Sequence, residues 1–183
     1  MLNSIYPDLI LPGQGNLIAQ VNGFTFAVEA SQVDINYFLL LEQNDFDSEP
    51  AEIFTQMELS DDKVTLVGFS SKDRRELYKS LKNVPGIGTK SALIILDSGD
   101  VTDILRAVSG KETDFLREVP GVGPKRIESI FKELEKKYSK ALPKPVPVKV
   151  SEWVEAREAL VSAGLNFEQS ESFVAEAVSS LEE

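Results

Sequence analysis

One heptapeptide occurs twice in this 183-residue chain, and it restricts the fold more than any other feature. Val84-Pro85-Gly86-Ile87-Gly88-Thr89-Lys90 returns 35 residues later as Val119-Pro120-Gly121-Val122-Gly123-Pro124-Lys125. A leucine precedes each copy at the same distance, Leu81 and Leu116. Apolar residues at helical spacing lie on both sides, so each copy reads as a tight turn between two helices. Glycine at the first and third turn positions lets the backbone bend sharply and come close to a ligand. The apolar residue between them, Ile87 or Val122, is placed to anchor the turn in a core. The next helix starts there, so its unpaired N–H groups and positive dipole end face outward. Such a terminus accepts a phosphate. Lys90 and Lys125 stand beside it, with Arg126 adjacent to the second. The candidate DNA-binding set is therefore Gly86, Gly88, Lys90, Gly121, Gly123, Lys125 and Arg126. Contacts of this kind touch sugar and phosphate rather than base edges, so binding is expected to be independent of sequence. A lone Gly-x-Gly could be no more than an interhelical turn. Repetition with its lysine favours a tandem helix-hairpin-helix unit.

The charge distribution agrees. The chain is acidic overall, net −11, which by itself argues against a polyanionic partner. Residues 1–71 hold 1 basic and 11 acidic side chains, net −10, and residues 141–183 hold 3 and 8, net −5. Residues 72–140 hold 15 basic and 11 acidic, net +4. The positive charge lies where the hairpins are.

Around the repeat, the sequence predicts a multidomain α+β chain. Residues 1–69 read as β. Leu17–Val21 and Phe24–Val28 flank Asn22-Gly23, a dipeptide that tolerates positive φ at both central positions of a type I′ hairpin turn. The apolar run Tyr37–Leu41 counts as a further strand. Ile53–Leu59 and Lys63–Phe69 form a second hairpin with Ser60-Asp61-Asp62 at its tip, and residues 44–50 read as an acidic loop. About five short strands suggest a small OB-fold-like barrel. Residues 70–140 predict five helices: one capped by Ser70 or Ser71 and running through Leu77, Tyr78 and Leu81, one after Gly88, then about 101–108, 112–118 and 124–138. Residues 141–149, with Pro143, Pro145 and Pro147, read as a semi-rigid linker. Residues 150–183 predict two amphipathic helices, about 152–163 and 168–181, the first ended by Gly164. Their core would hold Trp153, Leu160, Val161, Phe173, Val174 and Val178. The same stripe could instead present a partner-binding face.

Several classes are disfavoured. The chain has no cysteine and no histidine, which removes disulfides, thiol nucleophiles, the usual general base and the usual zinc ligands. No metal site or cofactor is expected. The nearest approach to a phosphate-binding loop, Gly86–Ser91, has the wrong spacing for GxxxxGK[ST], so the chain is not expected to hydrolyse ATP. No segment reaches the roughly 18 apolar residues of a membrane helix, and the first residues lack a signal peptide's pattern. A cytoplasmic location is the simplest expectation. A helix-hairpin-helix DNA glycosylase needs a catalytic Asp near the hairpin. None follows Asp114, and Asp103 is the remaining candidate.

A β-barrel, tandem hairpins, a proline-rich linker and a small helical domain together resemble the RuvA family of Holliday-junction-binding proteins. Leu66-Val67-Gly68-Phe69 followed by Lys72, Arg75 and Leu77 is similar to that family's passage from barrel to first helix, and the two hairpins are similar to its DNA-binding motifs. The resemblance implies a non-catalytic subunit that holds four-way junction DNA open and flat, and brings it to a RuvB-type AAA+ ATPase for branch migration in recombination and repair. It implies a homotetramer that can pair into an octamer, a junction-resolving endonuclease as a further partner, and a motor contact within residues 150–183. On residues alone, Asp61-Asp62 is an ordinary polar hairpin tip. The resemblance makes it an acidic pin, whose carboxylates would repel phosphates converging at the crossover. The chain departs from the family pattern in three places: residues 1–11 lack a glycine-rich opening strand, Ile127 stands where a small residue is usual, and the last domain has two helices where the family has three. The competing function is a scaffold that binds DNA ends or a repair nuclease without preferring junctions.

Overall fold

The computed structural model describes residues 3–43, 51–60, 63–139, 150–162, 170 and 173. The chain forms two compact units, Met1–Asp97 and Ser98–Glu183.

Six strands open the first unit: β1 (Ser4–Ile5), β2 (Leu9–Pro12), β3 (Asn16–Val21), β4 (Phe24–Glu29), β5 (Ile53–Ser60) and β6 (Lys63–Phe69). They pair in the order β1-β5-β6-β4-β3-β2. All pairings are antiparallel except β4 with β6, which is parallel. The edge strands β1 and β2 are neighbours in sequence. Ile5 and Leu9 can be no more than about 15 Å apart along the chain, whereas opposite edges of a flat six-stranded sheet lie about 24 Å apart. The sheet must therefore curl, as an OB-like barrel does. The Asn22-Gly23 turn has the expected geometry, φ +48° and +82°, joining Val21 to its partner Phe24. The described residues before Gly13 form two short strands, β1 and β2, rather than one.

The run Tyr37–Leu41 is not a strand. It lies in α1 (Gln32–Gln43). Five consecutive apolar residues fit either period, and the deciding signal is upstream. Ser31 Oγ accepts from the Asp34 N–H (3.1 Å) and donates to its carboxylate (2.5 Å), a helix-starting cap. Ile35 and Phe38 then face inward, joining Ile5, Ile10, Leu17, Val28 and Ile53 in the barrel core. Gly68 on β6 is dictated by space: a Cβ there would come within 2.5 Å of Val28 and 2.9 Å of Ile53.

α2 (Lys72–Lys82) and α3 (Thr89–Leu96) complete this unit. Ser71 is the cap of α2, accepting from the Arg74 N–H at 3.2 Å. Ser70 turns the other way, donating through N–H (2.8 Å) and hydroxyl (2.6 Å) to Asp34. Arg74 donates to the same carboxylate at 2.8 Å, to Ser31 Oγ at 2.9 Å and to the Leu96 carbonyl at 3.0 Å. Arg74 and Asp34 are both buried. One ion pair thus ties α1, the start of α2 and the end of α3 together.

The second unit contains α4 (Val101–Ser109), α5 (Asp114–Arg117), α6 (Pro124–Tyr138) and α7 (Val150–Ser162). The helical spans follow the sequence expectation closely. Two of the expected C-terminal core positions, Val161 and Phe173, are exposed, Leu160 is half-buried, and among the described side chains of α7 the buried one is Arg157. It bonds to Asp100 (3.1 Å) and Asp103 (2.6 Å) at the start of α4. This charge clamp, which an apolar stripe does not reveal, holds the described part of α7 against the start of α4. The linker 141–149, the second C-terminal helix over 168–181 apart from Ser170 and Phe173, Gly164, and the side chain of Trp153 lie outside the described residues, as does the acidic loop 44–50. No helix among the described residues is long and apolar enough to cross a membrane.

Candidate nucleic-acid interface

Each hairpin is built from a buried apolar pair and two exposed glycines. In the first, Val84 and Ile87 are buried, and the Ile87 N–H closes the turn onto the Val84 carbonyl at 3.1 Å. In the second, Val119 and Val122 are buried, with the matching bond at 3.0 Å. Gly86 and Gly121 sit at φ +85° and +79°, a region that costs other residues about 1–2 kcal/mol. Gly88 and Gly123 cap the helices that follow, at φ −89°, ψ 176° and φ −90°, ψ 176°. The two turns are the same structure made twice, as the 35-residue repeat predicts.

The third-position glycines have an ordinary extended conformation, so strain does not explain them, and neither does crowding within the fold. A Cβ on Gly88 or Gly123 would meet nothing within 4 Å; both residues are exposed, and no side chain caps either helix. The helix N-termini are therefore open to a ligand, with bare N–H groups and the positive end of the dipole facing out.

The hairpins differ at the first helical residue. Thr89 supplies an N–H there, whereas Pro124 has none and instead pre-sets the helical φ. α2 braces the first hairpin: Tyr78 donates to Thr89 Oγ1 at 3.2 Å, and Lys82 Nζ lies 3.4 Å from the same oxygen. Burial pushes the Tyr78 hydroxyl well above its ordinary range, so it remains a donor. Its ring packs on Phe69 with centroids 5.0 Å apart. Lys82 also pairs with Glu58 of β5 at 3.4 Å.

Lys90 and Lys125 are exposed beside their hairpins. Arg126 is exposed but folds back, donating to the Gly121 carbonyl. It braces the second hairpin in the free protein. Ile127 is buried. With Thr113, Arg117, Val122, Pro124 and Glu128 it lines an open groove of about 400 Å³ beside that hairpin. Asp61 and Asp62, the candidate pin, lie outside the described residues. The strands leading to them pair as far as Ser60 with Lys63.

Asp103, the one residue with a conceivable glycosylase role, is committed elsewhere. It is buried, receives Arg157 and lies 3.4 Å from Arg106. Burial, reinforced by the nearby Asp100 charge, raises its pKa above 3.8. Sequence reasoning does not find Lys82, Tyr78 and Thr89 as a group, because their proximity depends on how α2 crosses the hairpin it leads into.

Known proteins give the same picture. The family model described as a SAM-like helix-hairpin-helix tandem matches residues 78–136, spanning both hairpins. Three similar relatives are each named Holliday junction branch migration complex subunit RuvA. One, from Thermosipho melanesiensis, is 34% identical over 174 residues, 95% of this chain and 88% of that protein. The second, from Thermosipho africanus, is 32% identical, covering 86% and 88%. The third, from Pseudomonas fluorescens, is 30% identical, covering 81% and 77%. With six curled strands, two equivalent exposed hairpins and likeness along most of its length, the chain belongs to the RuvA family.

Proposed function

We propose that this protein is a Holliday-junction-binding subunit that grips duplex arms through the main-chain amides of its two hairpins. The observation that carries the reading is the pair of uncapped helix N-termini at Gly88 and Gly123, alike in geometry and open to solvent. Phosphates would sit against these amides, with Lys90 and Lys125 adding charge and Arg126 swinging out to join them. Binding is then independent of sequence. Chemistry is left to a partner. The subunit delivers the junction to a RuvB-type AAA+ ATPase through residues 150–183, and a resolving endonuclease can share the complex. Four copies would hold the four arms open and flat, with Asp61 and Asp62 of each copy near the crossover, and two tetramers could enclose one junction. Exposed apolar side chains in the first unit, Leu59 with its strand partner Val64, and Tyr37 with Leu40 on α1, support covered surfaces in such an assembly.

The test is a comparison of four-way junction and linear duplex binding over a range of salt concentration. Wild type is expected to prefer the junction. The K90M/K125M variant should weaken binding to all sequences alike and reduce the log–log salt slope by roughly one unit for each phosphate no longer neutralised. Equal affinity for junction and duplex would favour the scaffold function. An unchanged slope in the double variant would remove the hairpins from the interface.

A further inference from the structure

We infer that Lys82 and Arg117 are an additional pair of phosphate-binding cations, one at each hairpin, held in the free protein by the carboxylates of Glu58 and Asp114. The inference rests on the DNA-binding reading above and extends it to residues outside the glycine motifs. The repeat that superposes Leu81 on Leu116 and Gly88 on Gly123 also superposes Lys82 on Arg117. Each is a cation seven residues before the first residue of the following helix, Thr89 or Pro124. The structure puts Lys82 beside that residue and Arg117 in the same groove as it. Lys82 Nζ lies 3.4 Å from Thr89 Oγ1. Arg117 and Pro124 both line the open groove beside the second hairpin. In both units, therefore, a positive side chain from the preceding helix lies on the same side of the hairpin as the first residue of the following helix.

Neither cation is firmly held. Lys82 is 3.4 Å from Glu58, on the long side for a charged hydrogen bond. Arg117 is 3.1 Å from Asp114, three residues away, with side chains 69% and 76% exposed. An exposed pair such as Arg117–Asp114 contributes little to stability, so exchanging its carboxylate for a phosphate oxygen costs little; Lys82 and Glu58 are only about a quarter exposed, and there the long separation is what leaves the exchange open. The phosphate can offer stronger charge-assisted bonds, bidentate for arginine.

The experiment measures full-length protein binding to a labelled four-way junction and a mixed-sequence duplex between about 50 and 200 mM KCl. K82M and R117M are each expected to lower the log–log salt slope by about one unit, so that affinity falls about threefold less than wild type across that range. K82R and R117K should restore the slope, and E58Q should tighten binding at low salt. Melting temperatures of R117M should match wild type, because that residue is exposed. Unchanged slopes in K82M and R117M, alongside a reduced slope in K90M/K125M, would overturn the inference and leave the hairpin reading intact. Unchanged slopes in all of them would overturn both.

Discussion

At the residue scale, the two glycines of each hairpin have different roles and should respond differently to the same substitution. Gly86 and Gly121 occupy positive φ, so alanine there strains the fold by about 1–2 kcal/mol. Gly88 and Gly123 do not, and their Cβ positions are empty space. G88A/G123A should therefore melt close to wild type, with about 1 kcal/mol or less lost at each cap. If phosphate binds as proposed, the variant should nonetheless bind DNA much more weakly, because the new methyls would stand in the phosphate's path. Calorimetry and a gel shift on one sample check both halves, and a variant that melts near wild type and still binds normally would refute the claim. Asp103 gives a pH prediction. Its pKa is raised, chiefly by burial, so the folded state holds that proton to a higher pH than the unfolded chain. Its contribution to stability is thus largest near or below 3.8 and declines as pH rises towards the folded value. Urea unfolding of wild type, measured against D103N, should show that difference shrinking with rising pH over this window. A growing difference would mean that Arg157, rather than burial, dominates.

At the element scale, the features legible in the sequence are those determined locally. The hairpins are legible because their turn chemistry lies in consecutive residues and is written twice. The helices of residues 72–138 are legible from caps and 3.6-residue periodicity, and the Asn22-Gly23 turn from its dipeptide. α1 is easily mistaken for a strand because Tyr37–Leu41 is apolar throughout and carries no period. The Ser31/Asp34 cap that settles it begins six residues upstream. Arg157 escapes notice for the opposite reason: a charged residue on an amphipathic helix is ordinarily taken to be solvated, and only the fold brings Asp100 and Asp103 to it. Arg74 and Asp34 belong to the same class, 40 residues apart and buried together. Removing one partner leaves the other charge buried, so R74M should destabilise the first unit by about 3–5 kcal/mol. Denaturant unfolding would reveal it, and a loss under about 1 kcal/mol would show that the pair is dispensable.

At the scale of the whole molecule, the distribution of charge along the chain resolves the apparent conflict between an acidic protein and a polyanionic ligand. The negative charge of residues 1–71 and 141–183 flanks a positive segment that carries both hairpins. On the proposed reading, long-range attraction is weak and binding depends on amides and a few cations at fixed positions. Family membership extends over most of the chain, while the DNA contacts proposed above reside in two short turns and the cations beside them. The most direct test follows the backbone amides of isotope-labelled protein by NMR as a four-way junction is added. The largest shifts are predicted to fall on Gly86, Gly88, Lys90, Gly121, Gly123 and Lys125, with the barrel amides of β2 and β3 nearly unmoved. Large shifts on those strands, with the four glycine amides unchanged, would contradict the hairpin grip.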